Sequence, residues 1–362
     1  MKIPFLDLNA QYANIQDEIH IAIKQVLESK KFVQNQFCNQ LARDFLNVHG
    51  GNFGVGCSNG TSAITLVLKA LGVGYGDEVI TVNNTFFATI EAICEVGAKP
   101  VLVDCLPDSY GIDCELVEKA ISKKTKAVIP VHLYGNPCDM EKLCDLAKEH
   151  RIHLIEDCAQ AHLATYKKKP VGTFGSAGTF SFFPGKNLGA YGDAGFVITD
   201  NEDLHKMVSM HINHGRTKKY EHEFMAGNYR MDDIQAAILS VKCRYISDWT
   251  ERRISIAKKY DEILKKRGFK VIEIMPGSRC VYHLYVIEVK DRSEIMQKLH
   301  QNGVGTGIHY PIPINLQPAC VELGYKRGSF PISEEMADKI LSLPIYPEMT
   351  DESILYVTDL LD

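Results

Sequence analysis

Between residues 79 and 155 the sequence alternates short β-branched runs with helical segments, and few folds accept that alternation. The runs are Val79–Val82, Val101–Val103, Val128–Val131 and Leu154–Ile155, and between them lie Phe86–Val96, Cys114–Ile121 and Met140–His150. Strands apolar along their whole length are buried on both faces, and crossover helices between them make the sheet parallel. A closed eight-stranded barrel would continue the pattern. After Ile155, however, the strand-like runs Thr179–Phe183 and Phe196–Thr199 come close together with no helix between them. An α/β fold with an open, mostly parallel central sheet, at least one antiparallel strand and helices on both faces fits that order better.

A chain of 362 residues can hold two domains. We expect a large α/β domain over 1–245, opened by a helix that carries Ile15, Ile19, Ile23, Val26 and Leu27, and a smaller α+β domain over 246–362. A long helical stretch from about Asp232 to Lys266 should bridge them, followed by a strand at Val281–Val289, a helix at Ser293–Asn302 and two C-terminal helices. The net charge of -5 argues against a nucleic-acid binder, which needs a basic surface. No apolar run reaches membrane-spanning length, and Met1–Asp7 carries no signal-peptide core, so we expect a cytoplasmic protein. Eleven scattered cysteines without a Cys-x-x-Cys pair suit free thiols better than disulfides or zinc.

One lysine stands out. Lys186 follows Phe180, Phe182 and Phe183 and sits among Gly185, Gly189, Gly192 and Gly195. Walled by aromatic rings and glycine it would lose solvation, and the neutral amine is then a nucleophile able to form a Schiff base. A surface lysine on a turn is the plainer reading of the same residues. Gly54–Gly60 misses the dinucleotide fingerprint by one residue, since Asn59 stands where its third glycine belongs, and Gly185-Lys186 is not a Walker A loop. Gly60-Thr61-Ser62 at a helix start still offers N–H groups, hydroxyls and a helix dipole to a phosphate, or it is simply a capped helix start. Asp157 closes the apolar run from His153, which puts a carboxylate at the end of a parallel strand where such sheets bind ligands; alternatively it caps a helix from Ala159. A lysine, a carboxylate and a phosphate cup are together what pyridoxal phosphate (PLP) needs, and Thr85-Phe86-Phe87 could supply an aromatic lid. His132, His211 and His283 lie in apolar surroundings with no metal-ligand spacing, so we expect no metal.

The order of these pieces resembles the DegT-type (DegT/DnrJ/StrS) nucleotide-sugar aminotransferases, which are fold-type I PLP enzymes. The resemblance runs through Gly60-Thr-Ser, Thr85-Phe86-Phe-Ala-Thr, Glu156-Asp157-Cys-Ala-Gln160-Ala-His162 and Ser181-Phe-Phe-Pro-Gly-Lys186-Asn-Leu-Gly. It continues through His214-Gly215, Gly227-Asn228-Tyr-Arg-Met-Asp and His309-Tyr-Pro311 to Leu343-Pro-Ile-Tyr-Pro347, nearly the whole chain. It implies that Lys186 carries the cofactor, Asp157 pairs with the pyridine nitrogen, Gln160 approaches the phenolic oxygen and Phe86 stacks on the ring. It also implies a phosphate site of Gly60, Thr61, Ser62 and Ser181 joined by Asn228 of a second subunit, with His309 and Tyr310 on the substrate side. Asn228 could equally cap a helix starting near Met231, and Arg230, Asp232 and Asp233 read as partners of that helix's dipole.

The reaction so implied moves an amino group from L-glutamate, released as 2-oxoglutarate, to a ketone on a dTDP- or UDP-linked deoxy-ketosugar. The product would serve surface polysaccharides such as O-antigen, or glycoconjugates, and the enzyme would be a cytoplasmic homodimer with shared active sites. The run Lys186–Gly195 resembles members that act on 3-keto sugars, with 4-keto sugars as the nearest alternative. Related sugar dehydratases replace the lysine with histidine, and a PLP-binding regulator without turnover is a further option. Two positions depart from the family's pattern. Asn35 stands for a glycine, which asparagine's tolerance of a left-handed backbone allows, and Ala42 stands for a glutamate.

Overall fold

A computed structural model describes residues 1–361 and forms the alternating runs into one sheet. Strands β1 (Phe53–Cys57), β2 (Glu78–Val82), β3 (Lys99–Val103), β4 (Thr125–Ile129) and β5 (His153–Asp157) come first. The short β6 (Thr165–Tyr166) and β7 (Lys169–Pro170) form a separate hairpin, and β8 (Ala177–Ser181) and β9 (Gly195–Thr199) complete the large sheet. The order is β1-β9-β8-β5-β4-β2-β3. Only β9 runs against the rest, antiparallel to both β1 and β8, while β8, β5, β4, β2 and β3 pair in parallel.

Period-two alternation along the buried strands feeds two cores. Val79, Ala127, Ile129 and Ile155 pack with α3 (Gly60–Ala70) and α7 (Glu202–Ile212) through Leu66, Val67, Leu204 and Val208. Their chain neighbours Ile80, Val128 and Leu154 pack the other way, with Val117 of α5 (Cys114–Ala120) and Leu143 of α6 (Met140–His150). Helix α4 (Ala88–Glu95) follows β2. Helices α1 (Leu8–Ser29), α2 (Gln36–His49) and α8 (Asp233–Cys243) stack outside β9 and β8, with Phe45 of α2 against Phe180, Phe182 and Phe196.

The rest of the chain is smaller and mixed. After a hairpin of β10 (Arg216–Lys218) and β11 (Glu221–His222) and then α8 comes α9 (Ile246–Leu264). An antiparallel sheet follows in the order β12 (Lys270–Val271), β14 (Tyr285–Glu288), β15 (Ile340–Leu343), while β13 (Ser278–Arg279) pairs with β6. Helices α10 (Arg292–Gln301), α11 (Pro331–Lys339) and α12 (Asp351–Asp359) cover this part. No helix among the described residues is long and apolar enough to cross a membrane. All eleven thiols are free, and only Cys94 is exposed.

Several expectations need correction. The stretch from Asp232 to Lys266 is two helices, because the chain turns at Arg244–Tyr245. The strand expected over Val281–Val289 begins only at Tyr285: the N–H groups of Val281 and His283 donate to Gly135 and Tyr134 carbonyls at 3.1 and 2.9 Å, which takes them out of the ladder. The run Thr179–Phe183 leaves the sheet after Ser181. Strands β1 and β15 were not foreseen. Asn35 is extended, with φ -126°, and caps α2 through its side chain; the positive φ falls on Gln34, at 47°. Asp233 is fully buried and accepts the N–H groups of Asn35 and Cys38 at 3.0 and 3.1 Å, so it ties α8 to α2 and is more than a dipole partner.

Candidate active site

The carboxyl ends of β1, β2, β4, β5 and β8 open on one side of the sheet, where a cavity of about 630 Å³ lies. This is where an open α/β sheet binds its ligand, since the connections diverge there. Gly60, Thr61, Phe86, Asp157, Gln160, Ser181, Lys186, His309 and Tyr310 all line it. Ser62 and Asn228 do not.

Asp157 is the last residue of β5 and only 5% exposed. Its Oδ2 accepts the Thr89 hydroxyl at 3.0 Å and its Oδ1 the Ala159 N–H at 3.1 Å. Turns follow it and no helix, so it caps nothing. Burial pushes the carboxyl up, and the Ala159 and Thr89 bonds and the Lys186 charge only partly offset this.

Lys186 sits in the connection between β8 and β9, the only pair of consecutive large-sheet strands that runs antiparallel. That connection folds on itself through N–H bonds from Phe182 to Ala194 O, Ala190 to Phe182 O and Lys186 to Phe183 O, each 2.8 Å. Fully buried Lys242 supports it from below, its Nζ donating to Gly189 O at 2.6 Å. The Lys186 side chain is half-buried and lines the cavity. Burial lowers its pKa to about 8, with the Asp157 charge opposing. Phe180 and Phe182 are not the expected wall: both are fully buried against Phe45, and of the three rings only Phe183 reaches the cavity.

The helix start at α3 is capped by Asn59, whose Oδ1 accepts the Ser62 N–H at 2.8 Å. The N–H groups of Gly60 and Thr61, which no turn of helix precedes, remain for a ligand. Ser62 turns away, and its hydroxyl accepts that of Ser58 at 3.0 Å. Close approach brings the cup together: a Cβ on Gly60 would lie 2.7 Å from the Ser181 Cβ, and one on Gly195 would lie 2.2 Å from Asn59 O.

Gln160 accepts the Tyr134 N–H at 2.6 Å and donates to the Tyr310 hydroxyl at 3.2 Å, and the Phe86 ring lies 5.4 Å from that of Tyr310. His309 Nδ1 meets the Ser342 hydroxyl at 2.8 Å; burial, then the Lys186 charge, lowers its pKa to about 4, so the ring is neutral. Asn228 is exposed, bridges to Asn213 and accepts from Arg230 Nε at 2.8 Å. It does not cap α8, whose N-cap is Asp232.

His132, Glu156 and Cys158 cluster as three metal-type ligands would. The carboxylate is already occupied, however. Glu156 accepts N–H bonds from Gly172 and Phe174 at 2.7 Å and Gly175 at 3.1 Å, and meets His132 Nε2 at 3.2 Å. The Cys138 N–H points at His132 Nδ1, 3.0 Å away, so the ring proton sits on Nε2 facing Glu156. The cluster is a hydrogen-bonded strut under β5. His211 packs on Phe224, whereas His283 lines the cavity and its Nδ1 meets Asn187 Oδ1 at 3.3 Å. Arg253 on α9 also lines the cavity and was missed. A charged residue in the uncharged buried stripe of Ile246, Thr250, Ala257, Tyr260 and Leu264 was the signal that could have found it.

These residues fit pyridoxal phosphate: a weakly basic amine, a buried carboxylate on the same floor, and unused helix N–H groups beside a serine hydroxyl. Comparison with known proteins gives the same picture. Residues 13–362 match the model of the DegT/DnrJ/EryC1/StrS aminotransferase family. The chain is 43% identical to a "pleiotropic regulatory protein" of Geobacillus stearothermophilus, covering 99% of this chain and 97% of the relative. It is 38% identical to the dTDP-3-amino-3,4,6-trideoxy-α-D-glucose transaminase of Streptomyces venezuelae, covering 99% and 95%. The crystal structure of S. venezuelae DesV in complex with a ketimine intermediate matches with a TM-score of 0.97 at 38% identity, over 99% of this chain and 97% of that one.

Proposed function

The chain belongs to the DegT/DnrJ/EryC1/StrS aminotransferase family, and on that premise we propose that it moves the amino group of L-glutamate to the C3 ketone of a dTDP- or UDP-linked deoxysugar, for the amino sugars of a surface polysaccharide or glycoconjugate. The observation that carries this reading is Lys186 and Asp157 facing one cavity of about 630 Å³, each with its pKa moved by burial toward its neutral form.

Pyridoxal phosphate, when bound, supplies an aldehyde that holds the amino group and a ring that accepts electron density as a C–H bond breaks. Asp157, held in place by Thr89 and Ala159, would accept a hydrogen bond from the protonated ring nitrogen and favour its charged form. Lys186, with its pKa lowered by burial to about 8, would take the proton from the donor's α-carbon and carry it for the transfer. The N–H groups of Gly60 and Thr61 and the Ser181 hydroxyl hold the phosphate, which matters most when no covalent bond tethers the cofactor. Phe86 would cover one ring face, Gln160 would approach the phenolic oxygen, and His309 and Tyr310 would face the substrate. Asn228 completes the phosphate site of the other subunit in a homodimer; its exposure outside its own cavity supports that role.

The choice of C3 is supported by the Lys186–Gly195 run and by the 3-amino product in the name of the S. venezuelae relative. Mass spectrometry of products from dTDP- and UDP-linked 3-keto and 4-keto sugars with glutamate tests it, and amination of only the 4-keto sugars would overturn it. The name of the Geobacillus relative favours a regulator as the second reading. Turnover by the purified protein separates the two, and borohydride reduction should fix the cofactor to the peptide that contains Lys186.

A further inference from the structure

Arg253 is 4% exposed and yet forms part of the cavity wall. Its Nη1 donates to the carbonyl oxygens of Ile345, Tyr282 and His283 at 2.9, 3.2 and 3.5 Å. Those are its only hydrogen bonds among the described residues, so one nitrogen of a five-donor fork is engaged. Among the described residues it also has no carboxylate within ion-pair distance. Its helix neighbours Glu251 and Arg252 are paired elsewhere, with Arg279 at 2.6 Å and Asp351 at 3.7 Å, and Glu348 acts on Arg253 only through space. A buried guanidinium without a counter-ion in contact is costly, and burial lowers its pKa to about 10, with the Glu348 charge opposing, still charged at neutral pH.

Resting on the proposed aminotransfer, we propose that Arg253 binds the α-carboxylate of the amino donor, an α-amino acid whose amino group then faces Lys186. Both cations hang from the same three residues. Asn187, next to Lys186, donates through Nδ2 to Val281 O at 3.1 Å and meets His283 Nδ1 at 3.3 Å. Arg253 holds the carbonyls of Tyr282 and His283. His283 feels the charges of both Lys186 and Arg253, so both lie near it, and all three line the same cavity. Two cations tethered to so short a segment at one cavity suit a small ligand that carries both an amine and a carboxylate. An acidic group on the sugar is the other source of a carboxylate. The depth of Arg253 favours the smaller molecule, which must put its α-carbon at the lysine.

The test compares the wild-type holoenzyme with Arg253→Met and Arg253→Lys, each checked for a cooperative thermal transition. Arg253→Lys keeps the charge and most of the stem and serves if the methionine variant does not fold. The half-reaction is followed by absorbance with L-glutamate and with 4-aminobutyrate, which is glutamate without its α-carboxylate. Arg253→Met should slow the glutamate half-reaction about a hundredfold and the lysine variant about tenfold, because a bidentate charged contact is lost. The 4-aminobutyrate rate and the KM for a neutral ketosugar should each change less than about threefold, as expected of uncharged contacts. An equal fall for both donors means a merely structural arginine, and a loss confined to a uronic-acid ketosugar assigns the site to the sugar; either overturns the proposal. Calorimetric binding of 2-oxoglutarate needs no turnover. If no ketosugar is aminated but this binding depends on Arg253, the aminotransferase reading falls and the carboxylate site stands. If the wild type fails to bind, or the variants bind equally, the carboxylate site falls.

Discussion

Replacing Glu156 separates two adjacent acids that look alike in the sequence. Its carboxylate is fully buried and accepts three backbone N–H groups, from Gly172, Phe174 and Gly175, besides facing His132 Nε2. Glu156→Ala leaves those three donors unpaired in the core, each costing about 1–3 kcal/mol. Relief of the buried charge returns part of that sum. A net loss on the order of 4 kcal/mol is expected, a large share of the roughly 5–15 kcal/mol that holds a typical domain. Glu156→Gln keeps an acceptor for one pair of donors but turns an NH₂ group toward the other, so about 2 kcal/mol should be lost. Urea unfolding of the cofactor-free protein, followed by circular dichroism at constant slope, measures both. A Glu156→Ala midpoint within about 1 kcal/mol of wild type, or a glutamine variant less stable than the alanine one, would refute the strut.

Asp157→Asn should do the reverse. Burial raises the folded carboxyl above its value of 3.8, so the folded chain holds the proton more tightly and loses stability as pH rises through that window. At pH 7 the cofactor-free Asn variant should therefore melt higher than wild type, while turnover falls roughly a hundredfold or more; a lower melting point refutes this. Lys186 has its pKa lowered to about 8 from 10.5, so trace acetylation of the cofactor-free protein should show it becoming reactive near pH 8, and a midpoint near 10.5 would contradict its burial. Co-refolding Lys186→Ala with Asn228→Asp, each inactive alone, should restore about a quarter of wild-type activity if Asn228 acts across a two-fold dimer. Activity at the homodimer baseline would place Asn228 in its own subunit's site.

What the sequence made legible was what depends on local pattern. The β-branched runs announced the parallel sheet, and the missing helix between Thr179 and Phe196 announced its antiparallel partner, because both signals are periodic and short-range. Lys186 and Asp157 were readable because chemistry demands those residue types. Strand β1 was hidden by glycines at Gly54 and Gly56, which make room for Phe196 and Met231 side chains that are distant in the chain. Phe180 and Phe182 read as a wall around Lys186 because the sequence does not say which side of this segment the core occupies. Glu156 and Arg253 went unread because their partners are backbone groups, which no residue letter records.

The antiparallel placement of β9 also has a consequence for how the protein is made. Strand β1 has its only large-sheet neighbour in β9, Cys57 opposite Gly195. A ribosome adding roughly 5–20 residues per second delivers that partner on the order of ten seconds after β1 has left the exit tunnel. Throughout that interval the nascent chain carries an unpaired strand edge and an α3 cup without Ser181 or Lys186. Newly synthesised chains therefore cannot recruit cofactor early, and a translational pause before residue 195 would prolong the stage at which they are most open to chaperones and to each other.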